Sequence, residues 1–384
     1  MQLPPELILL VIEALIQSNA PTFPPSHPVT RTLLSLTLTC KLTQPLAREL
    51  LFTHCLYLNS GKRIEDALTN SQLCKFARYS PAGVDKGTRA RSLFLAFPSA
   101  VTISLKSTDR QIDRLLTIFR TNIRRLIIDL PLRHLFLDIT ESRSAQNVIY
   151  GAISCLEAVE EFCYVRDALG TAPYRQTWLD RFDTSDWSLG VTFVWPRLRR
   201  LSLCNPAFDR LLMGTLRQSP NLTHLAFTCP SRIESLYNER AVRSLDVAQT
   251  LSHLQRVLVI QGNGPLETTE RWDFWESRLI TQRTNRVDWE QSFLGKLMVA
   301  VQTAAQAKSG ARFRPELVYI NEPSTGPFDA EDYAAFQEWT GVRALDGTLW
   351  DYPGLVYDVN VHGRIAAALF TDAGDESSSP TTVA

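Results

Sequence analysis

A short apolar pattern, apolar-x-x-apolar-x-apolar, recurs six times between residues 90 and 259. Its last positions alternate as in a β-strand with one buried face, and several stretches between the copies have the apolar spacing of helices. The central apolar residues of the six copies are Leu93, Leu126, Phe162, Leu201, Leu225 and Val257. A seventh, less regular strand is predicted at residues 317–320. Because strands and helices alternate, the sequence predicts an α/β architecture.

The copies are unevenly spaced. Successive central residues lie 33, 36, 39, 24 and 32 positions apart, and about 60 positions lead to the seventh strand. Strand-helix units of this kind resemble a leucine-rich-repeat solenoid, although only the 24-residue step has the length typical of that repeat. The best units begin at Pro196 and Pro220, since proline can precede a strand. Another α/β packing is the alternative.

The resemblance implies an irregular leucine-rich-repeat-like domain over residues 90–370, preceded by a junction at residues 58–89. Residues 371–384 have no apolar pattern and are expected to be a disordered tail. Before that tail, residues 328–339 are predicted to form an amphipathic helix and residues 355–361 a strand. A repeat array needs its terminal unit covered, so this C-terminal segment is expected to be a cap.

Two long insertions, residues 166–196 and 262–289, interrupt the pattern and are rich in Trp. Long connections in a compact domain are usually functional or disordered, and Trp is favoured at binding hot spots. We therefore predict that a target protein binds at Trp178, Trp187, Trp272 and Trp275. The alternative is that each Trp, including Trp195, fills the end of an irregular repeat.

The first 57 residues carry three short apolar stretches with helix-start signals. Pro4 and Pro5 open the first stretch, a Pro-rich spacer over residues 20–30 leads to the second, and Gln44-Pro45 opens the third. A trihelical unit this small cannot bury so much apolar surface by itself. Such a surface at a chain terminus is often covered by a partner protein.

Leu3-Pro-Pro-Glu-Leu7, followed by Leu36-Thr-Leu-Thr-Cys-Lys41 and a third helix at residues 46–52, resembles an F-box of the divergent type common in filamentous fungi. Two features depart from the family: the Pro-rich spacer is long, and no Trp follows Cys40-Lys41. The resemblance covers residues 1–57 and implies docking on the Skp-type adaptor, and through it the cullin, of a ubiquitin ligase. The residues that it assigns to adaptor docking are Leu3, Pro4, Leu7, Ile8, Val11, Ile12, Leu15, Leu34 and Leu38.

The resemblance thus implies a substrate receptor that brings an unknown target protein to the ligase. The alternative is a repeat-domain interaction scaffold without a link to ubiquitin, in which the three helices pack entirely onto the repeat domain as its N-terminal cap. An enzyme with an unrecognised site is the remote alternative.

Composition narrows the function classes. Lys plus Arg and Asp plus Glu number 40 each, which gives no global charge for binding nucleic acid or an anionic membrane. The first helix lacks the basic start of a signal peptide, and no apolar run has the length of a membrane span. We therefore expect a cytoplasmic or nuclear protein.

The sequence lacks the local motifs that mark common catalytic sites. The sequence contains no nucleophile elbow, phosphate-binding glycine loop, dinucleotide fingerprint or zinc spacing, so we expect no enzyme, no metal and no cofactor. The seven scattered cysteines are expected to be reduced and buried. The basic runs at Arg124-Arg125 and at residues 197–200 are expected to lie on a solvent edge of the strands.

Overall fold

The structure is a computed structural model, in which the described residues are 4–16, 22–70, 73, 91–96, 105–130, 148–149, 151–167, 195–204, 215–228, 253–262, 314–320, 330–353 and 355–356. Within them the strands form one sheet, and helices lie on both of its faces. The predicted α/β architecture is therefore confirmed.

Three helices precede the sheet: α1 (Pro5–Ala14), α2 (Pro28–Thr39) and α3 (Gln44–His54). Each has a proline at its first or second position, where a missing N–H group leaves no helical hydrogen bond unmade. The side chain of His27 caps α2, because its Nδ1 accepts a hydrogen bond of 3.2 Å from the Val29 N–H group. The small core between the helices contains Ile12, Leu33, Ala47 and Leu50.

The sheet follows the order of the chain. Strands β1 to β8 are parallel, each paired with the next, and β9 pairs antiparallel with β8 at the edge. The elements are β1 (Leu56–Leu58), α4 (Gly61–Thr69), β2 (Arg91–Ala96), α5 (Leu105–Ile118), β3 (Ile123–Asp129), β4 (Glu161–Asp167), β5 (Arg200–Cys204), β6 (His224–Thr228), β7 (Arg256–Gly262), β8 (Arg314–Ile320) and β9 (Leu355–Val356). The sheet thus begins at Leu56, and the segment predicted as a junction supplies α4.

The register of the strands places the predicted apolar centres side by side. Each centre pairs with the centre of the next strand, in the order Leu93, Leu126, Phe162, Leu201, Leu225 and Val257. All six are buried on one side of the sheet, the first face, in a core that also includes buried side chains of α4 and α5. Adjacent strand residues point the other way and form the second face.

The second face is apolar and covered. Its strand residues include Phe94, Ile127, Cys163, Ala226 and Leu258. They pack with helix α6 (Ala330–Asp346) and with the 3-10 helix that follows it (Thr348–Asp351). The prediction that this segment caps the end of the strand array is therefore wrong for α6. The helix lies on the second face of the sheet because that face is too apolar to remain exposed.

Two glycines allow α6 to pack closely on the sheet and to end where it does. A Cβ atom on Gly341 would lie 3.3 Å from Val165 Cγ1, so glycine lets α6 approach β4 closely. Gly347, directly after the helix, has φ of 81°, the left-handed conformation in which glycine ends helices without strain. The buried residues Phe336, Thr340 and Ala344 recur at the spacing of one helical face. The helix predicted at residues 328–339 thus continues to Asp346.

The Pro-rich spacer connects the N-terminal helices to α6. The Phe23 N–H group donates to the carbonyl of His54, at the end of α3, at 2.8 Å. The Thr22 N–H group donates to the carbonyl of Leu345, near the end of α6, at 3.0 Å. Both spacer residues are buried, and the Phe23 ring stacks on His27. Because α3 also contacts β1 and β2, the three helices are attached to the sheet at several points.

Two other predictions concern cysteine and tryptophan. Cys163 and Cys204 are buried as expected, but Cys40 and Cys155 are exposed because they lie where helical segments end, outside the cores.

Trp195 is fully buried, with its ring centre 4.7 Å from that of Phe162. Trp195 therefore packs in the core of the first face. The residues predicted to bind a target, Trp178, Trp187, Trp272 and Trp275, lie outside the described residues.

Candidate functional site

Helix α1 carries two apolar faces. Ile8, Ile12 and Leu15, spaced i, i+4 and i+7, pack toward the core between the three helices. Leu7, Leu10 and Val11, spaced i, i+3 and i+4, lie on a separate face and are exposed. A helix that is apolar on most of its circumference can bury only one side against its own unit, so the other stays open.

Helix α2 also carries exposed apolar side chains. Leu34 and Leu38, one turn apart, are exposed, whereas their neighbour Leu33 is buried in the core. Leu42 is exposed in the turn before α3, which is ordered by a 2.8 Å hydrogen bond from the Thr43 hydroxyl to the Leu36 carbonyl. We call these residues the exposed helical face, and its members, 43 to 87 % exposed, are Leu7, Leu10, Val11, Leu34, Leu38 and Leu42.

Among the described residues, most of the large apolar side chains that are exposed belong to the exposed helical face. Among the described residues only one further large apolar side chain is exposed, Val342 on α6. Isolated exposed apolar residues are normal in globular proteins, but a concentration of them in one small unit marks an interaction site. This face is therefore the candidate site for docking of another protein.

The residues predicted for adaptor docking differ in how exposed they are. Pro4, Leu7, Val11, Leu34 and Leu38 are exposed. Ile8 and Leu15 are partly buried against the helical core, and Leu3 lies outside the described residues.

One of these predictions is wrong. Ile12 is 3 % exposed in the core between the helices, so a partner cannot reach it while the unit is folded. The resemblance does not show which side of α1 packs inward, because the helix is apolar nearly all round. Leu10 and Leu42 were not predicted; the i, i+3 spacing of Leu7 and Leu10 is the signal that would have added Leu10.

The turn between α2 and α3 also contains an exposed cysteine, Cys40. Cys40 Sγ lies 3.3 Å from the Thr43 hydroxyl, and this hydrogen bond lowers the pKa of the Cys40 thiol. Cys55, beyond the opposite end of α3, is half-buried, and burial raises the pKa of its thiol to about 11.

A second feature lies at the start of strands β3 to β7, on the second face. The residue before each apolar centre is polar, and the register pairs these residues across the sheet. We call them the charged row: Arg125, Glu161, Arg200, His224 and Arg256. Their recurrence at one position of the pattern is visible in the sequence.

The centre of the charged row is a buried ion pair. Arg125 Nε lies 2.7 Å from one carboxylate oxygen of Glu161, and Arg200 Nη1 lies 3.5 Å from the other. Arg125 and Glu161 are both buried. The expected position of Arg125 on a solvent edge is therefore wrong, because α6 covers this face. Arg197 and Arg199 are exposed, as expected.

The charged row holds the C-terminal segment. Arg125 donates to the carbonyl of Ala344 in the last turn of α6, where helical carbonyls lack partners of their own. Arg256 donates to the carbonyls of Trp350 and Tyr352.

The Trp350 ring contacts two further members of the row. The Arg200 guanidinium lies 6.0 Å from its centre, and the His224 ring meets it edge-on at 6.3 Å. Burial, with the charges of Arg200 and Arg256, lowers the pKa of His224 to about 4. The row thus contacts main-chain carbonyls and an aromatic ring of the C-terminal segment.

Among the described residues no group of three or more His, Cys, Asp or Glu side chains is placed to hold a metal ion. None of the helices within the described ranges has the length and apolar character needed to span a membrane. Comparison with protein-family models, curated proteins and solved structures found no match. The exposed helical face and the charged row are therefore the features that bear on function.

Proposed function

We propose that the chain is an F-box-type substrate receptor, whose N-terminal helices bind a Skp-type adaptor and whose sheet domain presents a target protein to the ligase. The observation that carries this proposal is the exposed helical face on α1 and α2. Burying one such Leu or Val side chain fully contributes about 1.5–3 kcal/mol. Several of them supply the apolar centre that a protein interface needs.

The attachment of the helices to the sheet supports the same function. A substrate receptor acts by proximity, because it raises the effective concentration of a bound target near the transferred group. Contacts of α3 with β1 and β2, and the spacer bonds to His54 and Leu345, restrict the orientation of the helices relative to the sheet. Strands in chain order with one shared register are also what a leucine-rich-repeat-like array would have.

The test is direct binding of the full chain to a purified Skp-type adaptor, measured by surface plasmon resonance. Val11→Asp and Leu38→Asp should each weaken binding about tenfold or more, because a charge replaces an apolar contact at the interface. Both side chains are largely exposed, 63 and 87 %, so neither change disturbs the core of the unit. Val342→Asp is the matched control, since Val342 is exposed on α6 and its change should leave adaptor binding unaltered.

Three results would contradict the proposal. If the unmodified chain does not bind the adaptor at tens of micromolar, the chain is a scaffold without a link to the ligase. If both aspartate variants bind as well as the unmodified chain, the exposed helical face is not the docking site. If Val342→Asp weakens binding as much as they do, the effect is not specific to the helices.

A further inference from the structure

A row of polar side chains crosses the edge of the sheet at which strands β3 to β7 begin. It is formed by the residues two positions before the apolar centres: Arg124, Glu160, Arg199, Thr223 and Gln255. Each of the last four donates its main-chain N–H group to the carbonyl of the residue before it in this row, at 2.7–2.8 Å. All five are at least partly exposed. They are therefore neighbours on a solvent-accessible edge.

The charge of this edge changes between β4 and β5. At β3 and β4 each arginine has a carboxylate: Arg124 Nη1 lies 3.4 Å from Glu160 Oε1, and Arg120 pairs with Glu157. At β5, β6 and β7 the described residues include five arginines but no Asp or Glu, over the ranges 195–204, 215–228 and 253–262. The edge is therefore balanced in charge at β3 and β4 and basic from β5 onward.

Two of these arginines, Arg197 and Arg199, are open to solvent. They lie on either side of the buried Leu198, and both are exposed. Among the described residues neither side chain has an ion-pair or hydrogen-bond partner. By contrast, Arg200 and Arg256 form contacts within the fold, with a buried carboxylate and with carbonyls of the C-terminal segment. Arg197 and Arg199 are thus available to a ligand from outside.

Hydrogen bonds hold the main chain that carries these two arginines. The Asn221 side-chain amide donates to the Pro196 carbonyl at 2.7 Å, and the Thr223 hydroxyl donates to the Arg199 carbonyl at 2.9 Å. A ligand that binds here does not have to order this turn first, which lowers the entropy cost of binding. We call this surface the basic edge, and its members are Arg197, Arg199 and the exposed Asn221 and His253.

The chemistry of the basic edge favours an acidic protein segment. Guanidinium groups bind carboxylates through two parallel hydrogen bonds. Arg197 and Arg199 are separated by one buried residue, and alternate residues of an extended peptide also lie on one side of it. Nucleic acid fits less well, because the basic edge has no Phe, Tyr or Trp ring on which a base could stack and the net charge of the chain is zero.

We infer that the basic edge binds an extended acidic segment of another protein, with Asp or Glu at alternate positions. This inference rests on the proposed function only in making that protein the target of the ligase. Adaptor binding involves α1 and α2, so it is measured separately, and either function can fail without the other.

The experiment measures the fluorescence anisotropy of a labelled peptide in which Glu and Ser alternate, with the full chain as the binding protein. At low salt the peptide should bind with a Kd of about 0.1 mM or below, and a peptide with Gln in place of Glu at least about tenfold more weakly. Physiological salt should weaken binding several-fold, because exposed charges are screened. Arg197→Glu and Arg199→Glu should each weaken binding about tenfold, since the reversed charge repels the carboxylates.

Arg120→Glu is the matched control. It makes the same change of charge on the same edge, but Arg120 already has Glu157 as a partner, so affinity should change by no more than about twofold. All three variants should keep the circular dichroism spectrum of the unmodified chain, because the replaced side chains are exposed.

Four results would overturn the inference. The unmodified chain does not bind the acidic peptide at low salt, or the two reversals at the basic edge leave its affinity unchanged. Arg120→Glu weakens binding as much as they do, which would make the effect one of net charge. A peptide with a single phosphoserine, or a single-stranded RNA of the same charge, binds more tightly than the acidic peptide, which would make the ligand a phosphorylated segment or a nucleic acid.

Discussion

The exposed helical face and the second face of the sheet are both apolar, yet only one of them is covered. On α1 and α2 the apolar residues Leu7, Val11 and Leu38 point away from the helical core and stay open. On the sheet, Ile127 and Leu258 are equally apolar, but α6 packs on them. Apolar character therefore shows that a surface needs a cover. Whether the chain supplies that cover depends on which segments can reach it.

The two surfaces also differ in their polar parts. The second face has a charged row along one end, with a buried ion pair and arginines that bind the carbonyls of the C-terminal segment. The exposed helical face consists only of Leu and Val side chains. The covered surface thus specifies where its cover lies, whereas the open one offers mainly burial energy.

The largest effect is expected at the ion pair beneath α6. Glu161→Ala leaves Arg125 buried without its carboxylate, which should lower the free energy of unfolding by about 3–5 kcal/mol. Urea unfolding followed by circular dichroism measures the loss. Glu157→Ala is the control, because its pair with Arg120 is exposed and should contribute about 0–1 kcal/mol. Equal losses in both variants would show that the charged row does not hold the cover.

A smaller loss is expected in the helical core. Leu33→Ala removes a fully buried side chain between the three helices and should cost about 2–5 kcal/mol of stability. Leu38→Ala, five residues on but exposed, should change the free energy of unfolding by no more than about 0.5 kcal/mol while it weakens adaptor binding. Thermal unfolding and adaptor binding, measured on both variants, separate core from surface. Similar stability losses would contradict the assignment of Leu38 to the open face.

The charged row should also make stability depend on pH. The pKa of His224 is about 4 in the folded protein against 6.5 ordinarily, so between these values the unfolded chain binds a proton that the folded chain does not. The free energy of unfolding should therefore fall as pH decreases from 6.5 to 4. Because His224 is partly exposed, the loss is on the order of 1–2 kcal/mol.

Comparison with His224→Gln isolates this contribution from that of the carboxylates. Urea unfolding of both proteins at several pH values should show the unmodified protein losing more stability on acidification than the variant does. Parallel pH profiles of the two proteins would mean that His224 remains accessible to protons in the folded state.

The smallest effect concerns the end of α6. Gly347→Ala places a Cβ atom on a left-handed residue and should cost about 1 kcal/mol. Gly151→Ala is the control, since a Cβ there meets no atom within 4 Å and the residue is helical, so stability should be unchanged or slightly higher. Differential scanning calorimetry would resolve the two. A neutral result for Gly347→Ala would mean that the turn after α6 adapts without strain.

Much of the sheet was predictable because its signal is local. Alternation around Leu126, Phe162 and Leu225 locates the strands, and the register then follows from packing of the same positions side by side. The cover on the second face was not predictable in this way. The contact between Arg125 and Ala344 joins residues far apart in sequence, and no local pattern encodes it.

The candidate site was predictable only in part. The resemblance named Leu7, Val11, Leu34 and Leu38, which the structure leaves exposed. It assigned Ile12 to the wrong face. Deciding between two apolar faces of one helix requires knowledge of what packs against it, and that information lies in α2 and α3 rather than in α1.

The bond between the spacer and α6 has a consequence for synthesis. The Thr22 N–H group leaves the ribosome early, whereas its acceptor, the Leu345 carbonyl, is made after β8. At about 5–20 residues per second, several seconds separate the completion of β7 from that of α6. During this interval the nascent chain lacks the segment that covers its apolar second face. The cover and its bond to the spacer can therefore form only after α6 has been made.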